Sequence, residues 1–580
     1  MPVTRPDDQL KRMLEQTLIP PTSVVELDPD TIDATTSRLA SQRGSLAESY
    51  QLNSQHTRAT LSRLPDAAAR STIRTFYFET TLTAFTQLHE KGTRWTLHAS
   101  ALPERVQALL SPLWTDPAVV DALYSVDVHA LIDGTVWRSV PGAPGFLREK
   151  DWTAVQQAEL EAAVPGRDLT ATDGVLFVVG HLTRASYLSG DRAVRSVGLT
   201  AGVVTGGLLR AGADPRSGID VGIIDAFIDA PVNHALGCDG VERALAAILT
   251  LHARPATSGT GVADTSEAAD PADAAAPNPA DPTAPASGPS AEALDLATRW
   301  DALSARARAG VEEMLQSAEE VDASGRTADL GRVTHRLFER SVQEFFSTER
   351  QSTQLPARLV VHTSPAVDGI PLPDVEPDGE AGLADVLRAR RSVRSYERGP
   401  LGLDSLARLV RMAAGATGRE DGYGVRGLPK FPYPSIGGLD SNELGVIVNA
   451  VEGMEPGYYV YDKIGHALVR RIRGDLRLPL VSATFESEWL FYAPVVFVLV
   501  NDQAKVAWKY KTRGYRISHL DQGALMQNLS LAATAHGLGS CPVAGYFDEV
   551  LARVLGYEGT DAFIASLVAV GRPTRLGHGG

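Results

Sequence analysis

Arg390, Ser392 and Arg394 alternate along ARRSVRSY. In an extended chain alternate side chains project to one side, so these three could grip one anion together. A basic run is more often a solvated face, so the reading needs partners. YPSIGG, Tyr433 to Gly438, has glycines that let backbone approach a flat ligand, and Ser435 adds a hydroxyl. GLGSCPVAGYFDE, Gly537 to Glu549, follows a long helical pattern and offers backbone donors near Gly545. In VGRPTR, either Arg572 or Arg575 could add a second contact to a phosphate.

The elements that must position these stretches alternate between strand-like and helix-like patterns. LADVLRARR reads as a helix leading into Arg390, while GVIVNAVEG, YYVYD and APVVFVLVND read as strands, with a β-hairpin around Gly453 to Asp462. A long helix follows from about Leu520 to His536, and FIASLVAVGRP closes the block. Helices and strands mixed in this way indicate an α+β domain.

This block has an echo upstream. PVVFVLVN and RGYRISHLDQGALMQNLSLAATAHGLGS match GVLFVVGH and RAVRSVGLTAGVVTGGLLRAGADPRSG. Arg513 pairs with Arg192, Arg516 with Arg195 and Gly523 with Gly202, all at one offset, and Asp548 and Gly556 pair with Asp229 and Gly237. LAESYQLNSQ before the first copy weakly echoes RLFERSVQ before the second. Two amphipathic helices behind apolar strands can look alike by chance, but glycines and arginines here keep register together. The N-terminal block is therefore read as a second copy of the same fold.

At 580 residues the chain exceeds one ordinary core, and a length prior gives roughly two to four domains. From Ala256 to Pro289 it is rich in Ala, Pro and Asp and nearly devoid of large apolar residues, which reads as a disordered linker over 256–290. Residues 291–375 read as a connector that opens with amphipathic helices over Ala291 to Glu349. The flanking domains then span 1–255 and 376–580. A net charge of -15 and a pI near 5.4 argue against a nucleic-acid partner. The start of the chain lacks an apolar signal region and no stretch is long enough to span a membrane, so a cytoplasmic protein is expected. Two distant cysteines, Cys238 and Cys541, and scattered histidines give no disulfide framework and no metal site.

Taken in order, the C-terminal motifs are a helix ending in RxSxR, then YPSxGG, xGxYxYD, a KY pair followed by RxxR, QNLxLAAxAxGLGS and VGRP. From about Arg388 to Arg575 this resembles the SagB-type dehydrogenases, nitroreductase-like FMN enzymes of azole-containing and thiopeptide natural-product biosynthesis. With the repeat, the resemblance implies tandem nitroreductase-like folds, each a central mixed antiparallel sheet flanked by helices, the N-terminal copy degenerate. It also implies FMN held by Arg390, Ser392 and Arg394 at its phosphate and ribityl end, with Arg572 or Arg575 closing on the phosphate. Ser435 and Gly437 would lie along the isoalloxazine, and the Gly545 amide near N5. Lys509 and Tyr510 match the family's catalytic dyad. Position 436 is Ile where Gly or Ala is commoner in the family.

The implied activity is oxidation of thiazoline or oxazoline rings in a ribosomal precursor peptide, beside a cyclodehydratase partner. Such a reaction removes one ring proton and one hydride, so it needs a base next to the flavin. Lys and Tyr ordinarily titrate near about 10. Burial would lower Lys509 and a neighbouring ammonium would lower Tyr510, so either could be the base. Adjacent helical residues point about 100° apart, which favours a loop or a helix start for the pair. Without the surrounding motifs, the plainer reading is a packed Tyr510 and a solvated Lys509.

In the upstream copy the positions of Lys509 and Tyr510 fall on Leu188 and Ser189, and neither RxSxR nor YPSxGG recurs, although ARSTIRTF faintly suggests the former. The copy is read as degenerate, either completing an intrachain pseudo-dimer with one FMN or docking a leader peptide; a homodimer is the other assembly. Two further functions remain on the sequence alone. One is a general NAD(P)H-dependent nitro or quinone reductase, and the other a non-catalytic scaffold or leader-docking subunit of an azole synthetase.

Overall fold

The protein's structure, a computed structural model, describes residues 74–75, 77–78, 102–254 and 363–574. Short breaks fall at 142–144, 165–166, 170, 226, 241, 376–381, 486, 511–512 and 559–561. The segment 256–290, the helical patterns over 291–349, LAESYQLNSQ, RLFERSVQ, most of ARSTIRTF and Arg575 lie outside the described residues.

The N-terminal copy opens with α1 (Glu104–Leu110), α2 (Pro112–Thr115) and α3 (Pro117–Ala122). Strands β1 (Val126–Ile132), β2 (Thr135–Ser139) and β3 (Phe146–Asp151) follow, then α4 (Ala154–Ala163) and β4 (Gly174–His181). Next come α5 (Leu182–Ser189), α6 (Ala193–Ala213), β5 (Ile219–Ile224), α7 (Asp229–Leu236) and β6 (Arg243–Ala253).

The C-terminal copy begins with β7 (Ile370–Pro371), α8 (Leu383–Ala389) and α9 (Leu403–Ala414). The hairpin β8 (Gly418–Gly422) and β9 (Val425–Lys430) precedes β10 (Asn442–Val448), β11 (Gly457–Asp462), β12 (Ala467–Arg473) and α10 (Arg477–Ser482). Last come β13 (Val495–Asp502), α11 (Gln503–Tyr510), α12 (Gly514–Ala535), β14 (Gly539–Val543), α13 (Asp548–Leu555) and β15 (Ala562–Gly571).

The two sheets are the same sheet built twice. One runs β3-β2-β1-β4-β6-β5 and the other β14-β15-β13-β10-β11-β12-β7, and every pairing between these strands is antiparallel. Even the irregularities repeat. The register shifts between Val178 and Val179 on β4 and between Leu499 and Val500 on β13. Helices α7 and α13 both end on a left-handed glycine, Gly237 at φ 75 and Gly556 at φ 81, a backbone conformation that other residues rarely adopt. Ile370 and Pro371 of β7 add an edge to the C-terminal sheet by pairing with β12.

Strand β13 reads VVFVLVND and is buried through its first seven residues because helices cover both faces of its sheet. Helices α6 and α12 lie between the two sheets and pack on each other. Leu525, Leu529 and Ala533 of α12 join the core under their own sheet, whereas Tyr515, Ile517 and Leu520 join the N-terminal core with Val197, Ala201 and Val204 of α6. The N-terminal core thus takes in side chains of both copies. Helix α12 begins at Gly514, earlier than the Leu520 expected from periodicity. Its first turns carry half-buried Arg516 and buried Ser518 and His519, polar side chains that break the amphipathic signature. Among the described residues no helix is long and apolar enough to cross a membrane.

Candidate functional site

Helix α11 starts directly off β13, with the Asp502 carboxylate accepting from the Ala504 amide at 3.1 Å. It ends at Tyr510, so Lys509 and Tyr510 close a helix instead of starting one or lying in a loop. They converge all the same. The Tyr510 hydroxyl donates to Asp225 Oδ2 at 3.1 Å, and Lys509 Nζ lies 3.6 Å from the same oxygen. Asp225 follows β5 and belongs to the N-terminal copy. A shared acceptor across the interface draws together two side chains that leave the helix about 100° apart.

Tyr423 is the fourth member. It sits at the tip of the β8–β9 hairpin, where Tyr423 at φ 52 and Gly424 at φ 73 form a two-residue loop of left-handed backbone. A tyrosine is uncommon in that conformation. Here its hydroxyl accepts from Lys509 Nζ at 3.0 Å and donates to the Gly437 carbonyl at 2.6 Å. The YPSIGG loop therefore meets the Lys–Tyr pair directly. Gly437 itself has φ 74, and a Cβ there would lie 2.4 Å from the Tyr510 hydroxyl.

The loop is pinned from behind by α12. The Ile436 amide donates to both oxygens of Asp521, at 3.1 and 3.0 Å, and Asn528 donates to the Pro432 carbonyl at 2.8 Å. Burial pushes the Asp521 carboxyl well above the usual carboxylate range, the Ile436 hydrogen bond working the other way. Tyr510 is also raised, by burial first and then by the Asp225 and Tyr423 oxygens. This reverses the expectation that an adjacent ammonium would lower it, because the hydroxyl is buried and the acceptor it meets there is a carboxylate. Ser435 is half-buried at the head of the loop.

Arg390 caps the end of α8, and the chain then runs extended past the start of β14. Ser392 bridges Ser540, the Val393 amide donates to the Ser540 carbonyl at 2.9 Å, and the Val393 side chain fills the space beside Gly539. The alternation is real in space. Arg390, Ser392 and Arg394 all act on the thiol of Cys541, which burial pushes up and these three groups pull back. Arg394 and Ser392 are exposed, while Arg390 is buried. Arg390 faces Asp116 of the N-terminal copy through Nε at 3.6 Å, too long for a hydrogen bond, and that buried Nε has no hydrogen-bond partner among the described residues. Asp116 caps α3, accepting from the Ala118 amide at 2.9 Å, and also accepts from Gln527 of α12.

Arg572 is exposed, and its carbonyl accepts from the Glu397 amide at 2.8 Å, which sets it beside the RSVR segment. Gly545 lies just past β14 under the Phe485 ring, 3.0 Å from where its Cβ would sit. Among the described residues its N–H finds no acceptor. The arrangement thus has two ends joined by α12. At one end stand Arg390, Ser392 and Arg394, and at the other the Lys509–Tyr510–Asp225 cluster beside the glycine loop. Asp521 and Gln527, six residues apart on α12, mark the two ends, a separation on the order of 9 Å along the axis.

Sequence reasoning missed Tyr423, Asp521, Asp116 and Asp225. Tyr423 had a faint signal in the glycines on either side of it. Asp225 had another: in the repeat ASP-x-Phe-Ile-Asp, ending at Asp229, is matched by the stretch from Ala544 to Asp548, so Asp225 is the departure at an otherwise aligned site.

Residues 387–572 match the model of the nitroreductase family. Over 186 residues, 32% of this chain and 88% of its own length, the "Putative nitroreductase MJ1384" of Methanocaldococcus jannaschii is 33% identical. The crystal structure of a putative nitroreductase from Anabaena variabilis aligns with 92% of this chain and all of its own, at 18% identity and a TM-score of 0.60, a likeness of fold that runs through both copies. The E. coli microcin synthetase McbBCD complex aligns with 40% of this chain and 93% of its own at 18% identity, but a TM-score of 0.29 is too slight to carry function. Identity at 33% of 186 aligned positions, across 88% of that relative's length, places the chain in the nitroreductase family.

Proposed function

We propose that this chain is an FMN-dependent dehydrogenase that oxidises thiazoline or oxazoline rings of a ribosomally made precursor peptide to azoles, acting after a cyclodehydratase. The observation that carries the reading is the meeting of adjacent Lys509 and Tyr510 on one carboxylate, with the Gly437 backbone against the Tyr510 hydroxyl. A general reductase of the same fold has no need of such a pair. The chain's residues suit FMN on their own chemistry. Arg390 is buried and its Nε has no hydrogen-bond partner among the described residues, a donor that a phosphate oxygen would satisfy. The Ser540 hydroxyl is buried without a partner beside Ser392. The unmatched Gly545 N–H is a donor for a ring nitrogen.

When bound, FMN supplies the hydride acceptor. Arg390, Ser392 and Arg394 would hold the phosphate and ribityl end, with Arg572 or Arg575 as the outer contact, and Ser435, Gly437 and Gly545 would hold the ring end. Tyr510 keeps its proton and directs it to Asp225, which leaves Lys509 as the group at the ring end that takes the proton from the azoline carbon. The two copies act as an intrachain pseudo-dimer with one FMN site, since Leu188 and Ser189 stand where a second pair would be. The expected domains are 1–255, 256–290 as linker, 291–375 as connector and 376–580.

The test is azoline oxidation by the FMN-loaded full chain, followed by mass spectrometry of the peptide. Lys509→Ala should abolish turnover and Tyr510→Phe should reduce it, both with FMN still bound. Unchanged turnover in both variants overturns the catalytic assignment. Reduction of nitro compounds or quinones by NAD(P)H that is indifferent to both substitutions, with no azoline oxidation, makes the chain a general reductase.

A further inference from the structure

Asp225 lies outside every motif of the C-terminal copy, yet it touches both members of the pair on that copy. Its two oxygens are divided. Oδ2 accepts from Tyr510 and faces Lys509, while Oδ1 pairs with Arg167 of its own copy at 3.3 Å. It reaches this place because the copies clasp each other just beyond it. Arg513 donates to the Phe227 carbonyl at 2.6 Å and to Asp229 at 2.8 Å, with its guanidinium 3.7 Å over the Phe227 ring.

The clasp is made twice and the site once. Arg192 stacks at 4.6 Å over Tyr546 and bonds the Tyr546 carbonyl and Asp548, as Arg513 does with Phe227 and Asp229. At that second clasp Ala544 stands in the position of Asp225, and Leu188 and Ser189 stand in the positions of Lys509 and Tyr510. The carboxylate is on the copy without the pair, and the pair is on the copy without the carboxylate.

We propose that Asp225 of the N-terminal copy is the positioning residue of the Lys509–Tyr510 pair, so that the catalytic unit has three members assembled across the two copies. The proposal rests on the catalytic reading of that pair. Asp225 fixes the direction of the Tyr510 O–H and holds the Lys509 amine beside it, which a helix end alone does not do. The other charged or titratable groups facing this cluster are Arg167 from the N-terminal copy, Tyr423 from the hairpin, and Asp521 and Arg513 from α12 and its N-cap.

The experiment uses the full chain loaded with FMN and carrying Asp225→Asn or Asp225→Glu. It measures flavin content, kcat and KM for azoline oxidation across pH, and the fluorine NMR resonance of a fluorotyrosine placed at position 510. Asp225→Asn should keep flavin and KM and lower kcat by roughly a hundredfold, the low end of what a positioned proton-transfer group contributes. It should also move the alkaline limb of the profile to lower pH, because the charge that raises Tyr510 is gone. Asp225→Glu should recover part of the loss, and the fluorine resonance should shift in Asp225→Asn. An Asp225→Asn enzyme with the wild-type kcat and pH profile, or with an unmoved resonance, overturns the proposal. If the wild-type chain itself oxidises no azoline, the dehydrogenase reading has failed, and the resonance still decides whether Asp225 holds Tyr510.

Discussion

Gly202 and Gly523 face each other where α6 and α12 cross. A Cβ on Gly202 would lie 2.1 Å from the Leu520 carbonyl oxygen, and one on Gly523 would lie 2.1 Å from that of Leu199 and 3.0 Å from the Gly202 Cα. The obstacle is backbone on both sides, so no rotamer change relieves it. Replacing either glycine by alanine must push the helices apart and open the shared core on both flanks. The expected cost is about 1–3 kcal/mol for each, the range of an overpacked interior. Thermal unfolding checks this, and a Gly202→Ala protein as stable as wild type would mean that the crossing is looser than described.

Beside that crossing the ion pairs are exchanged between copies. Arg192 and Arg195 reach Asp548, and Arg513 and Arg516 reach Asp229, all with side chains no more than 10% exposed. Burial works to raise the Asp548 carboxyl, but Arg192 and Arg195 outweigh it and hold the group below its ordinary value. A depressed carboxylate contributes stability that is complete above the unfolded pKa of about 3.9 and is lost as pH falls through the folded value. Asp548→Asn leaves two arginines buried without their counter-charge and should cost about 3–5 kcal/mol near neutrality. It should also flatten the fall in stability below about pH 4, which denaturant titrations across pH would show.

This interface was legible before any coordinates because each copy carries the same residues for it: Arg192 with Arg513, Arg195 with Arg516, Gly202 with Gly523 and Asp229 with Asp548. A pseudo-two-fold contact uses one patch twice, so its sequence signal is doubled. That Arg390, Ser392 and Arg394 share a side was legible for a local reason, since alternation along an extended segment needs no tertiary knowledge. Asp225, Asp116 and Asp521 were not. Asp225 and Tyr510 are 285 positions apart and meet once, in a site that only one copy retained. Asp521 lies inside a long helix many of whose polar residues are buried. Nor was the direction of the Tyr510 shift legible: burial raises it first and the Asp225 carboxylate adds to that, neither visible from the KY pair itself.

Arg390 is the buried member of the proposed anion cradle, and its loss should be felt most. Arg390→Ala removes a charge-assisted contact worth about 1.5–3 kcal/mol, or roughly tenfold to a hundredfold in the Kd for FMN. The exposed Arg394 and Arg572 should each cost less. Fluorescence titration of the apoprotein with FMN gives these constants and, at saturation, the ratio of flavin to chain. That ratio should be near one, because the second clasp lacks both the pair and the cradle. A ratio near two would mean that the N-terminal copy holds a flavin of its own.

Gly437 and Gly438 allow the role of the YPSIGG loop to be separated from its backbone strain. Both have left-handed φ, 74 and 64, so alanine at either position should cost about 1–2 kcal/mol for conformation alone. They differ in what the new methyl meets. At Gly438 nothing lies within 4 Å, whereas at Gly437 it would stand 2.4 Å from the Tyr510 hydroxyl. Gly437→Ala must therefore displace Tyr510 from Asp225 or move the loop away from Tyr423, whose hydroxyl bonds the Gly437 carbonyl. Gly438→Ala should lose stability and keep turnover, while Gly437→Ala should lose a similar stability and most of its turnover with FMN still bound. Equal turnover in the two variants would show that contact between the loop and Tyr510 is incidental to the chemistry, and that the pair is held by Asp225 and Tyr423 alone.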